Sequence, residues 1–281
     1  MMTTGRDVVE TLLPRLEQAG VAEARVKLEW LVCETLQVGR EALDTLEVDA
    51  TTPAALEAKI TRLERHEPLQ YVLGHAPFLE CSLLTDPRAL IPRPETEELA
   101  MRVLRCGALW SREEVNIADV GTGTGCLAIT FAIKHPAAKV MAIDVSADAL
   151  KLARDNARRN QVAERIEFRL GDLLEGVALE SLDAVVSNPP YIATDVLATL
   201  DVSVRDFEPL AALYGGEDGL EVIRRLIPAA FAALKAEGHL FLEIGDEQGE
   251  EVRGLLEQAG FREIDIARDM YGNIRFAEAI K

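Results

Sequence analysis

From Asn116 onward the chain alternates between two periodicities, and that alternation limits the folds open to it more than any other feature. Short apolar runs (VNIADV, KVMAID, RIEFRL, LDAVVS, HLFLEI, FREIDIA and a last one around IRFAEAI) are mostly separated by stretches of helical spacing, notably Ala147 to Asn160, Gly219 to Lys235 and Gln248 to Ala259. A run that is apolar at nearly every position is a strand covered on both faces. Such strands alternating with helices predict an α/β fold, a mostly parallel seven-stranded sheet with helices packed on each side. Ligands in these sheets bind beyond the carboxyl ends of the strands, where the strand order reverses. The residues that follow each strand are therefore the candidates for chemistry.

The chain before this region reads differently. Val8, Val9, Leu12, Leu13 and Leu16 recur at helical spacing, as do Leu28, Leu31, Val32 and Leu36, and then Leu56, Ile60 and Leu63. Thr52 and Pro53 suit the cap and first turn of the last of these helices, and Pro14 is expected to kink or divide the first. Residues 1–67 thus form a small helical bundle with no catalytic spacing in it. In PLQYVLGHAPFLECSLL, two runs rich in Tyr, Val, Phe and Leu flank Gly74 to Pro77, which predicts a hairpin with His75 in its turn. Pro92 and Pro94 then hold the chain extended until a helix begins near Glu95, so residues 68–94 form a bridge and residues 95–281 the α/β domain. A chain of 281 residues with 48% hydrophobic content can fill both cores.

Charge and cysteines narrow the partners. Lys and Arg number 30 against 48 Asp and Glu, a formal charge of −18, whereas gripping a phosphate backbone needs basic surface. No direct nucleic-acid substrate is expected. Cys33, Cys81, Cys106 and Cys126 form no C-x-x-C pair, which fits free thiols in a reducing compartment and no metal site. MMTTGRDVVE has no apolar signal core and no run has the length of a membrane span. The expected location is cytoplasmic, with no membrane partner.

Four strand ends carry unusual residues. After the first strand, GTGTG places Gly121, Gly123 and Gly125 where a helix opens; glycines let a ligand approach the backbone closely, although a bland tight turn uses them too. Asp144 ends the second strand, about twenty positions on, where a carboxylate can accept from both hydroxyls of a ribose; Ser146 is available to cap the helix that follows. Asp172 and Leu173 follow the third strand, where a carboxylate could accept from an adenine amino group and an apolar side chain could cover the ring. Asp172 as a plain turn residue remains the alternative. After the fourth strand comes Asn188-Pro189-Pro190-Tyr191. Proline restricts the residue before it to extended geometry and removes backbone donors, so this tetrapeptide is a rigid edge rich in acceptors.

Three ends converging on an adenosine-shaped ligand, with acceptors beside it, resemble the class I S-adenosylmethionine-dependent methyltransferases. NPPY in this place resembles the members that methylate planar nitrogens. An amide nitrogen is a poor nucleophile because its lone pair is delocalised; if the Asn188 side-chain oxygen and the Pro189 carbonyl accept its two N–H bonds, the lone pair can localise as attack proceeds. Tyr191 is expected to wall the substrate stem, with a core tyrosine as the alternative.

QYVLG, LIPRPETEEL, GTGTG, SNPPYI, FEPLAALYGGEDGL and FLEIGDEQG together resemble the release factor glutamine methyltransferase family (PrmC/HemK) over nearly the whole chain. The resemblance implies methylation of the amide nitrogen (N5) of the glutamine in the Gly-Gly-Gln motif of class 1 peptide-chain release factors, with S-adenosyl-L-homocysteine as the other product. It implies cofactor contacts from Gly121, Thr122, Gly123, Thr124, Gly125, Asp144, Leu173 and Asn188 and substrate contacts from Asn188, Pro189, Pro190 and Tyr191; Asp172, by its place after the third strand, is a further candidate at the cofactor, and the acceptors of Asn188 and Pro189 make those two the expected catalytic residues. A sibling activity on a large-subunit ribosomal protein shares these motifs. DNA adenine amino-methyltransferases share NPPY but need a basic surface that the −18 charge does not offer.

Overall fold

A computed structural model describes residues 3–49 and 52–281 of the chain. The chain divides into two compact units, one of residues 1–74 with 201–207, the other of residues 75–200 with 208–281. No helix among the described residues is long and apolar enough to cross a membrane.

The first unit is the bundle its apolar spacing predicts. Helices Gly5–Gln18, Ala24–Leu36 and Thr52–Glu64 bury Val9, Leu16, Leu28, Leu31, Leu56 and Ile60 against one another. Each such side chain contributes about 1.5–3 kcal/mol of burial. Thr4 starts the first helix with a reciprocal cap: its hydroxyl accepts from Asp7 N–H, and its own N–H donates to the Asp7 carboxylate. Pro14 neither ends nor divides that helix. It sits on the exposed face, where water can satisfy the carbonyl its missing N–H leaves unpaired. The third helix begins at Thr52 itself, so Thr52 is a first-turn residue and not the cap; the Pro53 side chain lies outside the described residues.

QYVLG is helix, not strand. Leu69–Leu73 forms a short helix with Leu69 and Val72 in the bundle core, ended by Gly74 at φ 82°. The hairpin lies later, His75–Phe78 paired with Cys81–Leu84, and its turn falls at Leu79 and Glu80. A short apolar run suits a buried helix turn as well as a strand, and here the bundle claims it.

In the second unit the sheet strands are β1 (Asn116–Val120), β2 (Lys139–Asp144), β3 (Ile166–Leu170), β4 (Leu182–Ser187), β5 (Leu234–Glu243), β6 (Arg262–Arg268) and β7 (Ile274–Ile280). Their order is β6-β7-β5-β4-β1-β2-β3. β3, β2, β1, β4 and β5 are parallel neighbours, and β7 is antiparallel to β5 and β6. Both faces are buried with a period of two. Ile117, Ala184, Val186 and Phe241 point into a core with Leu99, Val103 and Phe131; Ala118, Val185, Leu240 and Leu242 point into another with Ile223, Leu226 and Leu256. From β1 the chain adds β2 and β3 on one side and then returns to place β4 on the other. The order therefore reverses between β1 and β4, which is where a crevice must open.

Candidate active site

The ends of β1, β2, β3 and β4 open onto one cavity of about 380 Å³, within the usual span of cofactor clefts, roughly 300–1,000 Å³. Its wall takes Gly121 to Thr124, Asp144, Asp172, Leu173, Asn188, Pro189 and Pro190. Of the residues expected at a cofactor, Gly125 alone is off this wall. Gly121, Gly123 and Gly125 have φ of 73°, 54° and 82°, a left-handed path that favours glycine. A Cβ on Gly125 would come within 3.1 Å of Ala153 Cβ and 3.2 Å of Ile129 Cδ1, so its job is close packing of helix Cys126–Lys134 on helix Ala147–Arg159.

Asp144 is held by the backbone and faces the cavity. Its Oδ2 accepts from Gly123 N–H at 2.9 Å and its Oδ1 from Ser146 N–H at 2.8 Å. Ser146 caps the following helix, its hydroxyl accepting from Ala149 N–H at 3.2 Å, so Asp144 is not spent on that role. Burial lifts its pKa above the usual carboxylate value, opposed by bonds from Ser146, Gly123 and Val145 N–H. Asp172 is paired instead with Arg225 at the cavity rim, both half-exposed. Leu173 beside it has φ 52°, a left-handed turn that a leucine adopts only where its surroundings hold it.

Sequence reasoning passed over Asp119. Its Oδ2 accepts from Thr122 Oγ1 at 2.6 Å and from Ala128 N–H at 3.1 Å, tying the glycine turn to the helix start. Its Oδ1 is buried without a partner among the described residues, on the cavity wall. Desolvation pushes its pKa up to about 7, with the charge of Asp144 adding to the rise. The signal was an acid placed inside an otherwise apolar strand just before GTGTG.

The acceptor-rich edge is locked from behind. Asn188 Nδ2 donates to Thr96 Oγ1 at 3.0 Å, and Thr96 Oγ1 donates to Glu243 Oε2 at 2.7 Å. Among the described residues no group donates to Asn188 Oδ1 or to the Pro189 carbonyl. Tyr191 does not line the cavity, unlike the expectation for it. Its hydroxyl donates to Glu243 Oε1 at 3.3 Å and accepts from Arg275 Nη1 at 3.3 Å. Desolvation first, and the Glu243 charge second, raise the Tyr191 pKa above its ordinary value. Glu243 is itself pushed up to about 7 by burial.

Two distant segments complete the wall. Ala89 to Pro92 lines the cavity and is fixed by Glu208, which accepts from Ile91 N–H at 3.0 Å and pairs with Arg93. The YGGEDG loop braces NPPY: a Cβ on Gly215 would lie 2.7 Å from the Pro190 carbonyl oxygen and 2.8 Å from Tyr191 Cα. Gln248 Nε2 donates to the Tyr191 carbonyl at 3.0 Å and to the Gly219 carbonyl at 3.1 Å. Thr96, Glu208, Arg225 and Glu243 carry no local signal of these pairings, because each partner is remote in sequence.

The family model "Methyltransferase small domain" matches residues 103–204, and "PrmC N-terminal domain" matches residues 8–74. The chain is 39% identical over 246 residues to a release factor glutamine methyltransferase of Koribacter versatilis, covering 86% of each chain. It is 36% identical over 272 residues to one of Geobacter sulfurreducens, covering 96% of this chain and 94% of that one. A solved methyltransferase from Pyrococcus furiosus shares the fold with a TM-score of 0.52 at 17% identity, covering 81% of this chain and 98% of that one.

Proposed function

The chain belongs to the release factor glutamine methyltransferase family, and from that premise we propose that it methylates the side-chain amide nitrogen (N5) of the glutamine in the Gly-Gly-Gln motif of class 1 release factors. The observation that carries this reading is the pair of unfilled acceptors, Asn188 Oδ1 and the Pro189 carbonyl, on a rigid edge of the cavity. A primary amide has two N–H bonds to offer, and two fixed acceptors hold it in one orientation.

The wall fits S-adenosylmethionine, a cation with a ribose diol. Asp144 and Asp119 are buried carboxylates that keep acceptor capacity toward the cavity. On this reading Asp144 takes the ribose hydroxyls, the glycine turn lets the ligand lie against the backbone, and Leu173 covers the adenine. Asp172, engaged by Arg225, holds the rim. When bound, the cofactor supplies a methyl group on a positively charged sulfur.

The protein's own part is orientation and charge. Asn188 Oδ1 and the Pro189 carbonyl accept the two amide N–H bonds, which aligns the nitrogen and stabilises the positive charge it gains as its lone pair leaves conjugation. The methylated nitrogen is acidic and releases a proton, so no strong base is needed beforehand. The helical unit, by its match to the PrmC N-terminal domain, is assigned the docking of the release factor.

Transfer of labelled methyl from S-adenosylmethionine to purified release factor, ribosomal protein and DNA, followed by mass spectrometry, tests the proposal. Label on the Gly-Gly-Gln glutamine is expected. Label confined to either other acceptor overturns the substrate assignment.

A further inference from the structure

The hydrogen bonds behind Asn188 all run one way. A carboxylate has no proton to give, so Glu243 can only accept; Thr96 Oγ1 must then donate to it, at 2.7 Å, as must Tyr191 Oη, at 3.3 Å. With its proton committed, Thr96 can only accept from Asn188, which therefore turns Nδ2 toward Thr96 at 3.0 Å. The amide oxygen is left with no donor among the described residues, on a side chain that lines the cavity. We propose that Thr96 and Glu243 are positioning residues that set which end of the Asn188 amide meets the substrate.

The inference rests on the role given to Asn188 above and adds a cause for its orientation. An Asn side chain can present either its oxygen or its NH₂ group, and only the oxygen can accept an N–H from a glutamine amide. Left alone, the two orientations differ by little. Glu243 breaks the tie through one intervening hydroxyl.

The same arrangement makes the orientation depend on a proton. If Glu243 is protonated it can donate to Thr96, whose hydroxyl is then free to donate to Asn188, and the amide is favoured in the reversed sense. The titratable and charged groups that face Glu243 are Glu95 from helix Pro94–Arg105, Tyr191 from the segment after β4, Arg275 from β7 and the Cys126 thiol from helix Cys126–Lys134, with the Thr96 hydroxyl beside them. Burial outweighs the lowering by Thr96, Arg275 and Tyr191, and Glu95 adds to the rise, so the carboxyl titrates near 7. The ionised form holds the productive orientation. Turnover should therefore rise as pH passes through about 7.

The test is kcat against pH for wild type, Thr96→Val, Thr96→Ser and Glu243→Gln with release factor as acceptor, alongside S-adenosylhomocysteine affinity for each. Thr96→Val is expected to lower kcat roughly tenfold with ligand affinity unchanged, and to lose the rise near pH 7, because the path from Glu243 to Asn188 is cut. Thr96→Ser restores both. Glu243→Gln, whose amide can donate or accept, lowers kcat and flattens the same limb. A wild-type kcat and pH profile in Thr96→Val overturns the proposal. If Thr96→Val fails to bind ligand, the Glu243→Gln profile decides: an unchanged limb overturns it equally. The underlying reading is checked separately by Asn188→Ala, since turnover at the wild-type rate there would remove the role of Asn188 itself.

Discussion

The helical unit and the cavity edge of the α/β unit both bury carboxylates and treat them in opposite ways, while elsewhere in the α/β unit Asp183 is paired with Arg112 and Lys235 and Glu208 with Arg93. In the helical unit Glu29 is almost wholly buried and is met by two guanidinium groups, those of Arg6 and Arg40. In the α/β unit Asp119 and Glu243 are as deeply buried, yet no cation pairs directly with either among the described residues; their partners are hydroxyls and one backbone N–H. Burial lifts both to about 7. Pairing with arginine is how a fold makes a buried charge tolerable. Leaving buried carboxylates unpaired beside a cavity costs stability and marks where a ligand or a reaction uses them. The contrast separates the buried carboxylates that hold shape from those at the edge that does chemistry.

The sharpest way to break that contrast is at the cavity edge. Asn188→Ala is expected to reduce methyl transfer by about 10²–10³, the usual loss when one group matched to developing charge is removed. S-adenosylhomocysteine binding, measured by calorimetry, should weaken but persist. Near-normal turnover would mean that the tetrapeptide only shapes the loop. Asp144→Ala comes next. Losing a charged acceptor costs about 1.5–3 kcal/mol, so the dissociation constant should rise about tenfold or more; an unchanged constant would reduce Asp144 to a brace for Gly123 and Ser146.

How much of this was legible depended on whether the signal was local. The sheet could be read because its central strands are apolar on both faces, and the bundle because Val8 to Leu63 keep helical spacing. Gly121 to Thr124, Asp144 and Asn188 could be read because each sits at a strand end, where topology gathers them into one wall. QYVLG misled because helix and strand share a short apolar run, and Leu69 and Val72 answer to a core built elsewhere. Segment 201–207 belongs to the helical unit though nothing nearby in sequence assigns it there. The Thr96–Glu243 contact joins residues 147 positions apart, and the Glu208–Ile91 contact 117; no window along the chain holds both ends.

Smaller effects probe the buried carboxylates themselves. Arg6→Ala should destabilise the protein by about 2 kcal/mol, since breaking a buried pair exposes its desolvated partner, with Arg40 still in place to limit the loss. A lower thermal midpoint with unchanged ligand affinity is the expected result. Asp119→Asn should act in the reverse direction and with a strong dependence on pH. Folded Asp119 titrates near 7, against about 3.9 for an unfolded aspartate, so the folded state binds that proton more tightly. Its contribution to stability is complete below about pH 4 and is lost as pH rises to about 7. Asparagine keeps an oxygen for Thr122 and Ala128 and has nothing to ionise. Relative to wild type, the variant's thermal midpoint should therefore gain about 2–4 °C between pH 6 and pH 7, the shift expected for about 1 kcal/mol. Parallel midpoints across that range would mean that Asp119 stays charged in the fold, and the cavity would then have to supply the cation that the protein itself does not.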